Sequence, residues 1–204
     1  MFRVNAWRVA CFDPRGTGST FRLNTFLEQE MSMKVSAIII AGLLCLTPAA
    51  LSAQTVSDAQ IASIVVTANQ VDIDAGKLAT SKATNPEIKK FGQQMVTDHT
   101  GVNKQATALV TKLKVTPEDN ATSQSLKAGG DKNIANLKSL KGAEFDKAYI
   151  DNEVTYHQAV IDAIDKILVP SAQNAELKAL LVKVRPAFVA HLEHAKMIQS
   201  SLGK

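Results

Sequence analysis

The stretch LKALLVKVRPAFVAHLEHAKMIQSSL, residues 177–202, repeats its apolar side chains at alternating spacings of three and four. This spacing is typical of the buried face of an α-helix in a helical bundle. The row consists of Leu177, Leu181, Val184, Phe188, His191, Ala195, Ile198 and Leu202. A single histidine therefore interrupts a row that is otherwise apolar.

The same spacing predicts three further helices upstream, and each of their rows also contains a polar residue. One row consists of Ile88, Gly92, Met95, His99, Val102, Ala106, Leu109 and Leu113, and another of Ile150, Val154, His157, Ile161, Ile164 and Leu168. In the first helix, a row through Asp72 and an alternative row through Val71 fit equally well. Asp72 is therefore expected either in the core or at its edge.

Capping residues set the predicted ends of the first two helices. Ser57 is a typical N-cap for a helix that runs to about Ser81, and Asn85 is one for a helix that starts at Pro86 and ends near Leu113. The short segment between them predicts a tight helical hairpin.

The second half of the chain is predicted to repeat this arrangement. A helix from about Ala143 to Leu168 should stop at Pro170, and Ser171 should cap a helix that runs to about Leu202. The connection over residues 115–142 is polar, with Gly129 and Gly130 as breakers and one short helix over residues 131–140.

The fold class that these elements predict is all-α. Two antiparallel hairpins joined by a long connection that carries a short helix is the layout of a ferritin-like four-helix bundle. No alternating apolar pattern indicates a strand. We expect residues 54–204 to form this single domain.

A leader is predicted before the domain. Residues 31–53, MSMKVSAIIIAGLLCLTPAALSA, combine a positive charge, an apolar run and a small-residue cleavage site, as in a signal peptide. The apolar run is about a dozen residues, shorter than the ~20 that a membrane-spanning helix needs. We expect export to the periplasm or the outer membrane. Residues 1–30 are interpreted as an unstructured, misassigned upstream extension, with translation starting at Met31 or Met33.

Composition excludes several kinds of function. The two cysteines, Cys11 and Cys45, precede the predicted domain, which excludes disulfides, thiolate metal sites and cysteine nucleophiles from it. Lys and Arg outnumber Asp and Glu by only 23 to 19 and are spread singly, so a nucleic-acid partner is not expected. Association with the envelope or a membrane surface, and assembly into a homo-oligomer, are the interactions left open.

The polar residues near the middle of the four rows are the main functional signal. In an antiparallel bundle they would lie at a similar height and converge, and a buried imidazole or carboxylate must be paired or bound to a metal. Two interpretations stay open: a hydrogen-bonded layer that fixes helix register, or a site for iron, zinc or copper. The candidate ligands are Asp72, His99, His157 and His191, with Glu153 and His194 as further candidates.

Several short motifs together resemble the bacterial domain of unknown function 4142 family. The residues that carry the resemblance are Gly76-Lys77-Leu78-Ala79 after Asp72, Met95-Val96-Thr97-Asp98-His99-Thr100, Gly142-Ala143-Glu144-Phe145-Asp146-Lys147-Ala148-Tyr149, His157, and Pro186 followed by His191-Leu192. The resemblance implies an exported ferritin-like bundle in the cell envelope, and it implies no particular activity. The family usually has Glu where this chain has Asp72.

Two hypotheses for function follow. The first is an envelope protein with a structural, interaction or stress-related role, because no catalytic constellation is recognisable. The alternative is a metal-binding protein, with or without redox activity, that uses the mid-bundle histidines and Asp72. The pattern Glu-x-x-His of di-iron ferritins does not occur in the sequence, and whether the protein is an enzyme is left open.

Overall fold

The computed structural model describes residues 55–202, and this part of the chain is helical without strands. Its five helices are α1 (Asp58–Lys82), α2 (Pro86–Leu113), α3 (Ala121–Ser139), α4 (Gly142–Ala163) and α5 (Ala175–Leu202). The all-α prediction is confirmed. The predicted upstream extension, residues 1–30, and the predicted signal peptide, residues 31–53, lie outside the described residues.

The starts of α1 and α2 agree with the capping signals in the sequence. Ser57 forms a capping box with Gln60, each accepting a backbone hydrogen bond from the other. Asn85 accepts hydrogen bonds from the first turn of α2, and Pro86 occupies the first helical position, where its missing N–H costs little. The three-residue connection between these helices makes α1 and α2 an antiparallel hairpin.

Glycines set the close approach of α1 and α2. A Cβ at Gly92 would lie 2.9 Å from the backbone oxygen of Gly76 and 2.9 Å from Cβ of Ala79. A Cβ at Gly76 would lie 2.8 Å from the backbone oxygen of Gly92. The two backbones can therefore approach this closely only because both positions lack a side chain.

The long connection differs from its prediction, because it contains a longer helix, α3, than the short one expected over residues 131–140. The chain is helical from Ala121 and continues through Gly129 and Gly130, although these were expected to break it. A Cβ at Gly130 would lie 2.7 Å from Cγ2 of Val71, so this glycine lets α3 pack directly on α1. That packing outweighs the cost of a glycine inside a helix, roughly 1 kcal/mol.

The connection between α4 and α5 also differs from the prediction. Instead of stopping before Pro170, α4 continues as a π-helical segment, Ile164–Leu168, and a final turn, Val169–Ser171. The π-helical register places Pro170 in the first turn of that final segment, where a missing N–H is tolerated. The residue that caps α5 is Asn174 rather than Ser171, since its side chain accepts hydrogen bonds from the first turn of α5.

A carboxylate in each hairpin holds the connection of the other hairpin. Asp58, in the first turn of α1, accepts from the backbone N–H groups of Gln173 and Asn174. Asp146 of α4 accepts from the backbone N–H groups of Thr84 and Asn85. These contacts fix the ends of α1 and α2 against the ends of α4 and α5.

The core consists of two apolar clusters at opposite ends of the long helices. One includes Ile61, Val102, Ile161, Leu181 and Phe188, and the other includes Phe91, Met95, Phe145, Tyr149 and Ile198. On each long helix the candidate ligand lies in sequence where one cluster gives way to the other. In residues 55–202, no helix combines the length and apolarity needed to span a membrane.

Candidate metal centre

The four candidate ligands lie one on each of α1, α2, α4 and α5, and all four are buried. Asp72 is 1% exposed, which places it in the core rather than at its edge. His99, His157 and His191 each offer a ligand nitrogen, and these nitrogens lie within 4.8 Å of one another. The three ring centroids are 5.3 to 5.6 Å apart. The structure thus brings together the residues that the helical rows placed at one level.

The orientation of the His99 ring is fixed by a residue that the sequence rows did not include. The amide nitrogen of Asn69 donates to the backbone oxygen of Val65 at 2.7 Å, which turns its oxygen towards His99. Nδ1–H of His99 donates to that oxygen, with Nδ1 and Oδ1 2.7 Å apart. In the neutral ring, Nε2 then presents a lone pair 2.6 Å from Oδ2 of Asp72. Two electron-rich atoms at this distance require a proton or a metal ion between them.

The other two histidines are held in the same way by different acceptors. Nδ1–H of His157 donates to the backbone oxygen of Glu153 at 3.0 Å, and Nε2–H of His191 donates to Oδ2 of Asp98 at 2.9 Å. Their remaining nitrogens, Nε2 of His157 and Nδ1 of His191, are buried and have no hydrogen-bond partner within residues 55–202.

Each ring therefore uses one nitrogen for an outward hydrogen bond and turns the other inward, where that of His99 faces Asp72 and those of His157 and His191 have no partner in residues 55–202. The three outward acceptors are an amide oxygen, a backbone carbonyl and a carboxylate. Histidines that ligate metals almost always donate their second N–H to such groups, which fixes both the tautomer and the ring orientation. Leaving these inward nitrogens unsatisfied in a buried layer would cost free energy.

The two buried carboxyl groups of this layer differ in pKa. Burial raises the pKa of Asp72, but attraction to His99 and a hydrogen bond with it outweigh that effect, so this pKa lies below its usual value. Burial raises the pKa of Glu153 well above its usual value, and the charge of Asp72 raises it further. Asp72 is therefore the carboxyl group of this layer that ionises more readily, and Glu153 the one that holds its proton more tightly. With His157, these carboxyl groups form a second set of ligand atoms within 4.8 Å.

Of the two further candidates, the structure brings one into the layer and keeps the other out. Glu153 is fully buried, with Oε2 3.4 Å from Nδ1 of His157. His194 is half-buried, and its ring lies edge-on to Phe91 with centroids 5.3 Å apart, in neither set of converging ligand atoms.

Asn69 and Asp98 are the functional residues that sequence reasoning missed. Asn69 is buried and precedes Asp72 by three residues, so a polar side chain on the same helical face was an available signal. Asp98 was not among the candidate ligands. It is 41% exposed, but its carboxylate also pairs with His191. The sequence holds no signal for that pair because it joins α2 to α5.

An open cleft of about 420 Å³ connects this layer with the surface between α2 and α5. His99 and His191 form its inner end, and Asp98, Gly101 and Lys183 lie along its walls. The cleft therefore leads from the surface to both histidines, whose inward nitrogens are themselves buried.

The comparisons with known proteins concern family and fold. A family model described as Domain of unknown function (DUF4142) matches residues 45–198, which confirms the resemblance seen in the motifs. No curated protein matches the chain significantly. A solved structure described as "CopM in the Cu(II)-bound form" matches with a TM-score of 0.57 at 16% identity, over 71% of this chain and 97% of that one. This likeness shows a shared helical-bundle fold.

Proposed function

We propose that this chain, which belongs to the domain of unknown function (DUF4142) family, binds one Cu(II) ion in its buried polar layer. The ligands are Nε2 of His99, Nε2 of His157, Nδ1 of His191 and a carboxylate oxygen of Asp72. The observation that carries the proposal is the convergence of one nitrogen from each of the three rings, while the other nitrogen of each ring makes an outward hydrogen bond.

This observation supports the metal-binding hypothesis more than a purely structural bundle. A hydrogen-bonded layer that only fixes register is stable when its buried groups satisfy one another. Here the outward hydrogen bonds of His157 and His191 leave one inward nitrogen of each ring without a partner in residues 55–202, and Nε2 of His99 faces the carboxylate of Asp72. Such a centre attracts a cation.

The choice of copper rests on the donor set and on the structural likeness. Imidazole nitrogens suit copper, zinc and iron, and among the divalent first-row ions copper binds most tightly to a given set of nitrogen and oxygen ligands. The fold of this chain resembles that of a protein solved in a Cu(II)-bound form. Three histidines with one carboxylate also suit tetrahedral zinc, so zinc is the competitor to test.

We also propose the wider setting that the sequence predicts. The two hairpins and the long connection support a bundle of ferritin-like type. The signal-peptide pattern over residues 31–53 supports export, with the metal handled in the periplasm or at the outer membrane. Association with envelope components or with a second copy remains part of this proposal.

Equilibrium metal titration tests the proposal. The purified protein is titrated with Cu(II), Zn(II) and Fe(II) against a competing chelator, beside His157→Ala and His194→Ala. The wild type and His194→Ala should bind one equivalent of Cu(II) more tightly than the other metals, and His157→Ala should bind far more weakly while its circular dichroism stays helical. Equal binding by the two variants, or no binding by the wild type, would contradict the proposal.

A further inference from the structure

An apolar cavity of about 130 Å³, partly open to solvent, lies against the cluster that includes Ile61 and Leu181. All five helices contribute to its wall, mainly through Ile64, Val102, Val160, Ile164, Leu181 and Phe188. A cavity of ~150 Å³ with this type of lining stays dry in other proteins and binds benzene. The volume therefore suits a single small ring or a short alkyl chain.

Two of the three polar side chains in this wall, those of Tyr156 and Asn69, are already engaged with the protein, and the third, Thr122, is exposed. The hydroxyl of Tyr156 donates to the backbone oxygen of Ala68 at 2.8 Å. The amide of Asn69 donates to Val65 and accepts from His99. A buried water needs two to four polar partners, and a polar ligand would also need partners. The wall therefore selects a neutral, apolar molecule.

The π-helical segment Ile164–Leu168 forms one side of the cavity. Such segments are rare and occur frequently at functional sites. Ile164 and Leu168 are buried in the wall, whereas Ile167, which also lines the cavity, remains 46% exposed. The small side chains of Ala159 and Ala163, on the preceding turns, leave the interior open.

Phe188 separates this cavity from the polar layer. Its ring lines the cavity, and its centroid lies 5.0 Å from that of His99 and 6.1 Å from that of His157. We propose that the cavity is a binding site for a neutral apolar molecule about the size of a benzene ring, held against the far side of Phe188 from the histidines. This site exists in the metal-free protein and does not depend on the proposed copper site.

The test uses benzene as the probe and metal-free protein throughout. The wild type, Ala163→Leu and Ala135→Leu are compared, because the first substitution fills the cavity and the second adds the same side chain at an exposed position of α3. Benzene should raise the unfolding midpoint of the wild type and of Ala135→Leu saturably, and should leave that of Ala163→Leu unchanged. Phenol should bind more weakly, since removing its hydroxyl from water costs free energy that benzene does not pay. An equal response in all three proteins, or none in the wild type, would overturn the proposal.

A crystal of the wild type under xenon pressure makes the test independent of whether Ala163→Leu folds. A xenon peak between Ile164, Leu181 and Phe188 is the expected result. No peak there would overturn the proposal. Because neither measurement involves a metal ion, their outcome is separate from the outcome of the copper titration.

Discussion

Oδ1 of Asn69 lies 2.7 Å from Nδ1 of His99, while Nε2 of the same ring lies 2.6 Å from Oδ2 of Asp72. Asn69 and Asp72 are neighbours on one face of α1, so a single helix determines both the tautomer of His99 and the charge that it faces. The ring is thereby prepared as a ligand before any ion arrives, which reduces the cost of ordering the site.

Replacing Asn69 tests whether this preparation matters. Asn69→Leu removes the acceptor for Nδ1–H, so His99 can adopt the other tautomer and loses its fixed orientation. We expect the affinity for Cu(II) to fall roughly 10- to 100-fold, as for other residues that orient a metal ligand. Chelator competition measures the change. Asn103→Leu, at a partly buried asparagine on α2 that bonds only to a backbone oxygen of α1, is the matched control. Equal losses in the two variants would show that packing, rather than ring orientation, was affected.

The raised pKa of Glu153 predicts a pH dependence of stability in the metal-free protein. Its pKa is raised above the ordinary value of 4.5, so between these two pKa values the folded state binds more protons than the unfolded state. The contribution of this group to stability is therefore lost as the pH rises through the raised pKa. Gln has nearly the shape of a protonated Glu and does not titrate, so Glu153→Gln removes this loss of stability at higher pH.

Urea unfolding across pH measures this effect. The free energy of unfolding of Glu153→Gln, relative to that of the wild type, should rise as the pH increases from the ordinary glutamate pKa of 4.5 through the raised pKa. Glu144→Gln, at an exposed position on the same helix, should follow the wild type throughout. A constant difference between Glu153→Gln and the wild type across pH would contradict the raised pKa of Glu153.

The close contact of α1 and α2 gives a prediction with an internal control. Gly92→Ala places a Cβ 2.9 Å from Gly76 O, so the helices must separate, and we expect a loss of about 1–3 kcal/mol in the free energy of unfolding. At Gly101, on the same helix, a Cβ meets nothing within 4 Å, so Gly101→Ala should stabilise by up to about 1 kcal/mol. Denaturant unfolding compares the two, and equal effects would contradict the packing described for this pair.

The cleft between α2 and α5 predicts how the metal reaches the histidines. Gly101→Leu adds a side chain to the cleft wall without touching a ligand, so it should slow Cu(II) association and dissociation while leaving the equilibrium affinity unchanged. Stopped-flow mixing measures the rates, with Gly101→Ala as the control for the loss of glycine. An unchanged association rate in Gly101→Leu would exclude the cleft as the route.

Local signals in the sequence predicted most of the helices. Periodic apolar rows and caps such as Ser57 and Asn85 depend on residues within one helix, and the structure places these helix starts where the caps predict them. The failures depend on contacts between distant elements. Gly130 is tolerated inside α3 because Val71 of α1 packs against it, and Pro170 is tolerated because a π-helical register precedes it.

The same distinction applies to the metal centre. Asp72, His99, His157 and His191 could be selected from the sequence because each interrupts an apolar row. Their tautomers could not be predicted, since these depend on acceptors such as Asn69 and Asp98 that lie on other helices. His194 was selected for its proximity in sequence to His191, and its ring instead packs against Phe91.

The most direct test of Cu(II) binding in the buried polar layer is anomalous diffraction at the copper edge. The crystals are grown from the protein with one equivalent of Cu(II). The proposed copper site predicts a single strong peak about 2 Å from Nε2 of His99, Nε2 of His157 and Nδ1 of His191. This is the usual distance from a metal to an imidazole nitrogen. A fully occupied peak elsewhere, for example at His194 or at exposed carboxylates, with none between the three rings, would contradict the proposed site.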